Sequence, residues 1–469
     1  MVFDQGGHAT RALVFDELGK IICHAESEII TIQKGNLMVE HDPDQMIESV
    51  FNVLGDIYDY LGERFNQIVD AGIATQRSSF VCWNKRTGQA LTPIISWQDR
   101  RTVDDIDRYR HEKELIHEKT GLYLNPHYGA TKIQWCLSHD DSLINQQQMG
   151  NLCIAPLASF ILFHLLSGQP FKVDPANASR TLLMNNNSLM WDEKLLNIFD
   201  ILMEPLPKIV DTKSEYGAIK YKGHTVPLSV CTGDQSAAIF FRGVPDTKSL
   251  FINVGTGAFI QQYCDKLPSL GEEKLLVSIV CSTKAEKSYV LEGTVNGAAR
   301  ALDWLAERQG GMNYVDYLEA WSESITQPPV FLNGVSGVGS PFWLPNINSR
   351  FLSDAAIEDK FVAVLESVVF LIYENLLAFQ KIREKAENVF ISGGLSKSDA
   401  LCQKLSDLSG FTIIRNPAVE TTALGVYFLL SGAVGHSNKL DKKSFFPSKN
   451  KPLVARYDTW KLEMASLFP

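Results

Sequence analysis

Two aspartates stand where a carboxylate can do chemistry. Asp4 closes the short run Val2-Phe3, and Asp234 follows the apolar-to-small run Leu228-Ser229-Val230-Cys231-Thr232-Gly233. A carboxylate at a strand end can take a proton or hold a divalent cation through its water shell. The residues alone leave the bland roles open: Asp4 as an Asx-turn before Gly6, and Asp234 as a helix N-cap before Gln235. Gly255-Thr256-Gly257 offers backbone N–H groups and one hydroxyl in a tight turn, which fits a phosphate oxygen or an ordinary hairpin. Gly393-Gly394, after the strand pattern Asn388 to Ser392, admits close approach of another group or merely turns a strand into a helix.

The elements that must position these groups read as an α/β protein. Val2 to Gly7 followed by Arg11 to Asp16 is strand, glycine-rich turn, strand, and Ile21 to Ala25 adds a third strand to a meander. Asp42-Pro43 caps a helix through Met46, Val50, Leu54 and Ile57, and Val69 to Thr75 is a strand ending in Gln76-Arg77-Ser78-Ser79. Ser249 to Val254, Gly255-Thr256-Gly257 and Ala258 to Tyr263 repeat the strand-turn-strand theme in the second half. The duplication predicts two lobes, residues 1–242 and 243–469, dividing near Arg242-Gly243-Val244-Pro245, with a nucleotide between them. Asn438 to Lys451 is polar and Lys-rich and reads as a surface loop.

At 469 residues the chain exceeds one ordinary core. Its net charge of −10 argues against a nucleic-acid partner, which needs a basic face, so a small substrate is expected. Eight cysteines without a C-x-x-C pair read as buried thiols of a reducing compartment. The apolar stretch Ala155 to Leu166 is short for a membrane span, and no basic segment with an apolar core opens the chain. Cytoplasmic residence, without membrane, is the expectation.

Several blocks resemble the FGGY carbohydrate kinase family, closest in motifs to glycerol kinases. They include Asp4-Gln5-Gly6 with Arg11, Gly72 to Arg77, Trp97 to Thr102, Asn177 to Thr181, Gly233-Asp234-Gln235 and Gly255-Thr256-Gly257 with Phe259. Leu291-Glu292-Gly293, Ser340 to Trp343, Gly393-Gly394 and Thr421 to Gly425 follow in family order over nearly the whole chain. The resemblance implies two actin-like, ribonuclease-H-like lobes closing on ATP and a small polyol or sugar, with Mg²⁺ as cofactor. A homodimer would suit the family. Asp234 corresponds to the family's base, and Asp4 with Asp234 to its metal site. The acceptor pocket maps to Arg77, Ser78, Trp97, His127, Gln235 and Phe259. The nucleotide site maps to Gly6, Gly7, His8, Arg11, Gly255, Thr256, Gly257, Ala299, Asp303, Gly393, Gly394 and Asp399.

The sequence also departs from the pattern. Ser78 stands where glycerol kinases carry a Glu, and His127 where they carry a Tyr, which predicts an acceptor larger than glycerol. Gly7-His8-Ala9-Thr10 has fewer hydroxyls than the usual phosphate loop, Ala299 replaces a Gly and Asp399 an Asn. These changes leave a catalytically weak or regulatory homologue as the alternative. Only Met1-Val2-Phe3 precede Asp4, so the first strand is unusually short or native residues precede it. Lys220 to Thr225 lacks the glycine-rich stretch with which bacterial members bind fructose bisphosphate, so no such regulation is expected.

Overall fold

The computed structural model describes residues 1–269, 271–344, 347–383, 386–415, 420–433 and 442–467. Its first sheet comprises β1 (Val2–Gln5), β2 (Ala9–Phe15), β3 (Ile21–Glu28), β4 (Ala71–Thr75), β5 (Lys213–Tyr221) and β6 (His224–Gly233), in the order β5-β6-β4-β1-β2-β3. β1, β4 and β6 are parallel, while β2 and β3 continue β1 as an antiparallel meander. Central parallel strands are covered on both faces, which is why Val2, Phe3, Ala71, Ile73 and Ala74 are all apolar and buried.

The second sheet repeats the plan. It comprises β7 (Ser249–Val254), β8 (Ala258–Cys264), β9 (Leu276–Ser282), β10 (Lys287–Val295), β11 (Asn388–Ser392), β12 (Ile413–Arg415) and β13 (Lys443–Phe445), ordered β9-β10-β8-β7-β11-β12-β13. β7, β11 and β12 are parallel, and β7, β8 and β10 form the meander. The expected duplication is therefore present as topology: two actin-like sheets, each a meander with two further parallel strands.

Helices fix the sheets to each other. α1 (Pro43–Leu61) starts at Asp42, whose carboxylate accepts from the N–H groups of Asp44 and Gln45, and its buried face packs on β2 and β3. α2 (Leu157–Leu165) is apolar almost all round and packs against α1. α3 (Asp234–Ala238) follows β6 directly. α4 (Ala299–Arg308), α5 (Ile357–Ile382) and α6 (Asp399–Ser409) belong to the second half. Among the described residues α5 is the one helix long and apolar enough to cross a membrane, and it is mostly buried in the second core.

α7 (Thr421–Ser431) lies on α3 and β4 of the first sheet. Its approach is close: a Cβ on Gly425 would fall 1.9 Å from the Ala237 carbonyl oxygen, so only glycine fits. Phe80–Asn84, Ile94–Ile95 and Leu152–Pro156, from an insertion between β4 and β5, join Ile32–Lys34 and Met38–His41, which follow β3, in a smaller five-stranded sheet.

Three smaller expectations have outcomes. All eight cysteines are free and buried. The β5–β6 hairpin turns on Lys222 and Gly223, both at positive φ (43° and 85°), a two-residue turn that leaves no loop at Lys220 to Thr225. Asn438 to Lys451 is not simply a loop. Residues 438–441 lie outside the described residues, but Lys443–Phe445 pairs with β12, and α8 (Lys451–Ala465) begins at the end of the stretch. Burial of the Phe445 ring, with the Arg415 guanidinium 5.3 Å from its centroid, outweighs the local lysines.

Candidate active site

Three parallel strands of the first sheet end side by side. Asp4, Ala74 and Thr232 are abreast, as are Gln5, Thr75 and Gly233, so the chain leaves the sheet there as Gly6-Gly7, Gln76-Arg77 and Asp234-Gln235. Carboxyl ends of parallel strands at such a point form the usual crevice of an α/β sheet. Asp4 and Asp234 are thereby neighbours. Burial, with the Asp234 charge adding to it, pushes the Asp4 carboxyl up to about 7. Burial also raises the Asp234 carboxyl, opposed by the Arg77 guanidinium. One Asp234 oxygen accepts the Gln235 N–H at 2.6 Å.

Arg77 is buried, not a surface charge, with Nε 3.8 Å from Asp234 and Nη2 3.8 Å from Glu292. Its Nη1 has no partner, and neither has the buried hydroxyl of Ser78. Ser78 sits at φ 64°, a conformation that turns the chain sharply after Arg77. Buried donors rarely go unpaired, which makes the two candidates for contact with a bound group.

The insertion supplies an aromatic wall. Trp97 and His127 meet edge to face with ring centroids 5.6 Å apart, and a Cβ on Gly7 would sit 3.8 Å from Trp97 Nε1. The glycine turn after β1 therefore runs past this aromatic wall. Burial and the neighbouring Lys132 charge drive the His127 imidazole well below its usual pKa, so the ring is neutral near pH 7. Gln235 and Phe259 are partly exposed, the first on α3 and the second on β8 of the second sheet.

On the second sheet the same strand-end logic holds. Gly255-Thr256-Gly257 joins β7 to β8 and is sewn to the start of α4: the Thr256 carbonyl accepts from Ala298 and Arg300, and the Gly255 carbonyl from Ala299. Thr256 is exposed, and a Cβ on Gly255 or Gly394 would meet open space. Gly393 (φ 94°) lies against the Val254 backbone so tightly that a Cβ would fall 2.5 Å from its carbonyl oxygen. Gly393 and the Gly255 turn thus share one strand-end edge.

Other mapped residues are engaged by protein groups. Arg11 is held by Glu26 at 2.6 Å and Glu420 at 3.1 Å. Asp399 pairs with Arg415 at 2.8 Å and with Lys443, and Asp303 accepts the Tyr314 hydroxyl at 2.8 Å. His8 is exposed, and its carbonyl accepts the Ile29 N–H.

The residues fit Mg-ATP. Two neighbouring carboxylates, both raised by burial and Asp4 further by the Asp234 charge, are a donor set a divalent cation relieves, and the open glycine turn offers donors to phosphate.

Four neighbours of the site had no role from sequence. Glu292 accepts from Arg180 Nη2 (3.1 and 3.2 Å) and Gln261 (3.1 Å), Tyr128 hydrogen-bonds Arg180, and Lys132 braces the aromatic wall. Arg180 and Glu292 lie inside motif blocks, which was the available signal; Tyr128 and Lys132 carried none.

Residues 1–241 match the model of the N-terminal domain of the FGGY family of carbohydrate kinases, and residues 250–433 its C-terminal domain. A glycerol kinase of Dechloromonas aromatica is 32% identical over 93% of this chain and 89% of its own. One of Natranaerobius thermophilus is 30% identical over 96% and 92%. Among solved structures, the fold is like that of Plasmodium falciparum glycerol kinase with ADP (TM-score 0.88, 23% identity, 100% and 98% coverage). A ligand-bound xylulose kinase of Lactobacillus acidophilus is also similar (0.84, 20%, 99% and 98%). Strand-end carboxylates on one sheet and a glycine turn on the other are compatible with ATP-dependent phosphorylation of a sugar or polyol, and the chain belongs to the FGGY family of carbohydrate kinases.

Proposed function

We propose that the protein transfers the γ-phosphoryl group of ATP to a hydroxyl of a polyol or sugar larger than glycerol, with Asp234 as the base. The observation that carries this reading is the placement of Asp234 beside Arg77 and Asp4, where three parallel strands end. Phosphoryl transfer needs little covalent help from protein, so positioning and charge do most of the work. Asp234, raised by burial, takes the hydroxyl proton; Arg77, Ser78 and Gln235 donate to or accept from the acceptor's hydroxyls. Trp97, His127 and Phe259 cover its carbon chain. Asp4 and Asp234 would hold Mg²⁺, which supplies charge neutralisation between the phosphates. Gly6, Gly7, His8, Gly255, Thr256 and Gly257 face those phosphates, and Ala299, Asp303, Gly393, Gly394 and Asp399 border the adenosine side. The small Ser78, with its free hydroxyl, supports the larger acceptor. Residues 1–242 and 243–469 act as the two lobes. Cytoplasmic residence, a homodimer, and independence of membrane and nucleic acid belong to the same reading, the last supported by the net charge of −10.

One observation favours a second reading, a weak or regulatory homologue: Arg11 is already held by Glu26 and Glu420, which removes a cation from the phosphate side. The test is ADP release with Mg-ATP across glycerol, tetritols, pentitols, ketopentoses and hexitols. Turnover of a longer acceptor ahead of glycerol supports the proposal, and a preference for glycerol refutes the size argument. Silence across the panel with ATP still bound selects the second reading.

A further inference from the structure

Glu292 takes no part in the roles assigned above, yet it is fully buried at the junction of the two halves. It stands on β10 of the second sheet, and two of its three partners come from the first half. Arg180 Nη2 donates to both its oxygens at 3.1 and 3.2 Å, and Arg77 Nη2 lies 3.8 Å away; Gln261 of β8 donates at 3.1 Å. Arg77 is therefore suspended between two carboxylates, 3.8 Å from Asp234 on one side and 3.8 Å from Glu292 on the other, hydrogen-bonded to neither. Arg180 and Gln261 keep Glu292 from moving toward Arg77.

The balance of charge decides what happens without Glu292. Two guanidiniums and two carboxylates share this buried space, where attraction is stronger than in water. Neutralise Glu292 and Asp234 becomes the only carboxylate left to Arg77 among these four groups. The guanidinium would close the 3.8 Å gap, occupy an Asp234 oxygen needed by the acceptor's proton, and withdraw the unpaired Nη1 from the pocket. We propose that Glu292 is a positioning residue: it holds Arg77 off Asp234 and, reaching from the second half, ties acceptor binding to the joining of the two lobes. This rests on the acceptor pocket described under the proposed function.

The test is a cycle of Glu292→Gln, Arg77→Ala and the double variant in the full chain, using the best acceptor of the panel above. Acceptor binding is read by intrinsic tryptophan fluorescence, with a Trp97→Phe variant to assign the signal, and by KM, with the KM for ATP alongside. Glu292→Gln is expected to weaken acceptor binding at least tenfold and to change the ATP constant less than twofold. In the Arg77→Ala background the same change is expected to add less than twofold, because its route is through Arg77. Multiplicative effects, or a lower Tm with both constants unchanged, overturn the inference. If Glu292→Gln fails to fold, Gln261→Leu removes one support only. A roughly threefold loss in acceptor affinity is then expected, and no change overturns the inference. A wild-type protein that neither binds nor turns over any acceptor sinks the kinase reading and this inference together; an active wild type with multiplicative effects sinks this inference alone.

Discussion

Lys132 Nζ donates to the His127 carbonyl at 3.0 Å and to the Ser96 carbonyl at 2.9 Å. One fully buried side chain thus joins the two segments that carry the aromatic wall, the residue before Trp97 and His127 itself. Lys132→Met keeps the shape and removes both bonds. The acceptor KM should rise about tenfold, the worth of roughly one hydrogen bond in positioning, with the ATP KM unchanged. Ile133→Ala, on the same helix, is the control: it should lower Tm and leave the acceptor KM alone.

Burial, opposed by Asp99 and aided by Arg101, lowers the Lys132 pKa from 10.5 to about 7. Between those values the unfolded chain holds a proton there that the folded one lacks, so this group makes stability rise with pH across that window. Urea unfolding at pH 7 and pH 9 should show the rise in the wild type, and Lys132→Met should reduce it. An identical slope in both would contradict the assignment.

Ser78→Glu places a carboxylate in the proposed acceptor pocket. A charged acceptor is worth about 1.5–3 kcal/mol, so kcat/KM for glycerol relative to longer acceptors should rise at least tenfold. Some loss of stability should accompany it, because a larger side chain would sit at φ 64°. Competition between glycerol and a pentitol reads the ratio.

Fructose bisphosphate should leave both activity and oligomer size unchanged. The two-residue turn at Lys222-Gly223 gives it no glycine-rich loop to bind. Assays with and without the bisphosphate, with sizing by light scattering, check this.

Much of the site was legible because strand patterns ending in Gly or Asp are local signals. Asp4, Asp234 and the Gly255 turn each follow a run of apolar residues, and the two sheets place them where those runs end. The partners that tune them were not legible. Arg180 meets Glu292 across 112 positions of sequence, and Lys132 meets Ser96 through a carbonyl, which no residue type announces. Arg77 looked the same in sequence whether buried or exposed; only the packing of β6 and β10 around it decides. The stretch ending at Lys451 misled because Lys442, Lys443, Lys449 and Lys451 are exposed while one aromatic, Phe445, holds the strand.

The most direct measurement is the phosphoryl-transfer rate of Asp234→Asn with a saturating acceptor, beside its Tm and its acceptor affinity. The account predicts a fall in kcat of about 10²- to 10⁴-fold, the usual contribution of a positioned base, with Tm near that of the wild type and a loss of acceptor affinity much smaller than the loss in kcat. A kcat retained within tenfold would remove Asp234 from the chemistry and with it the strand-end site.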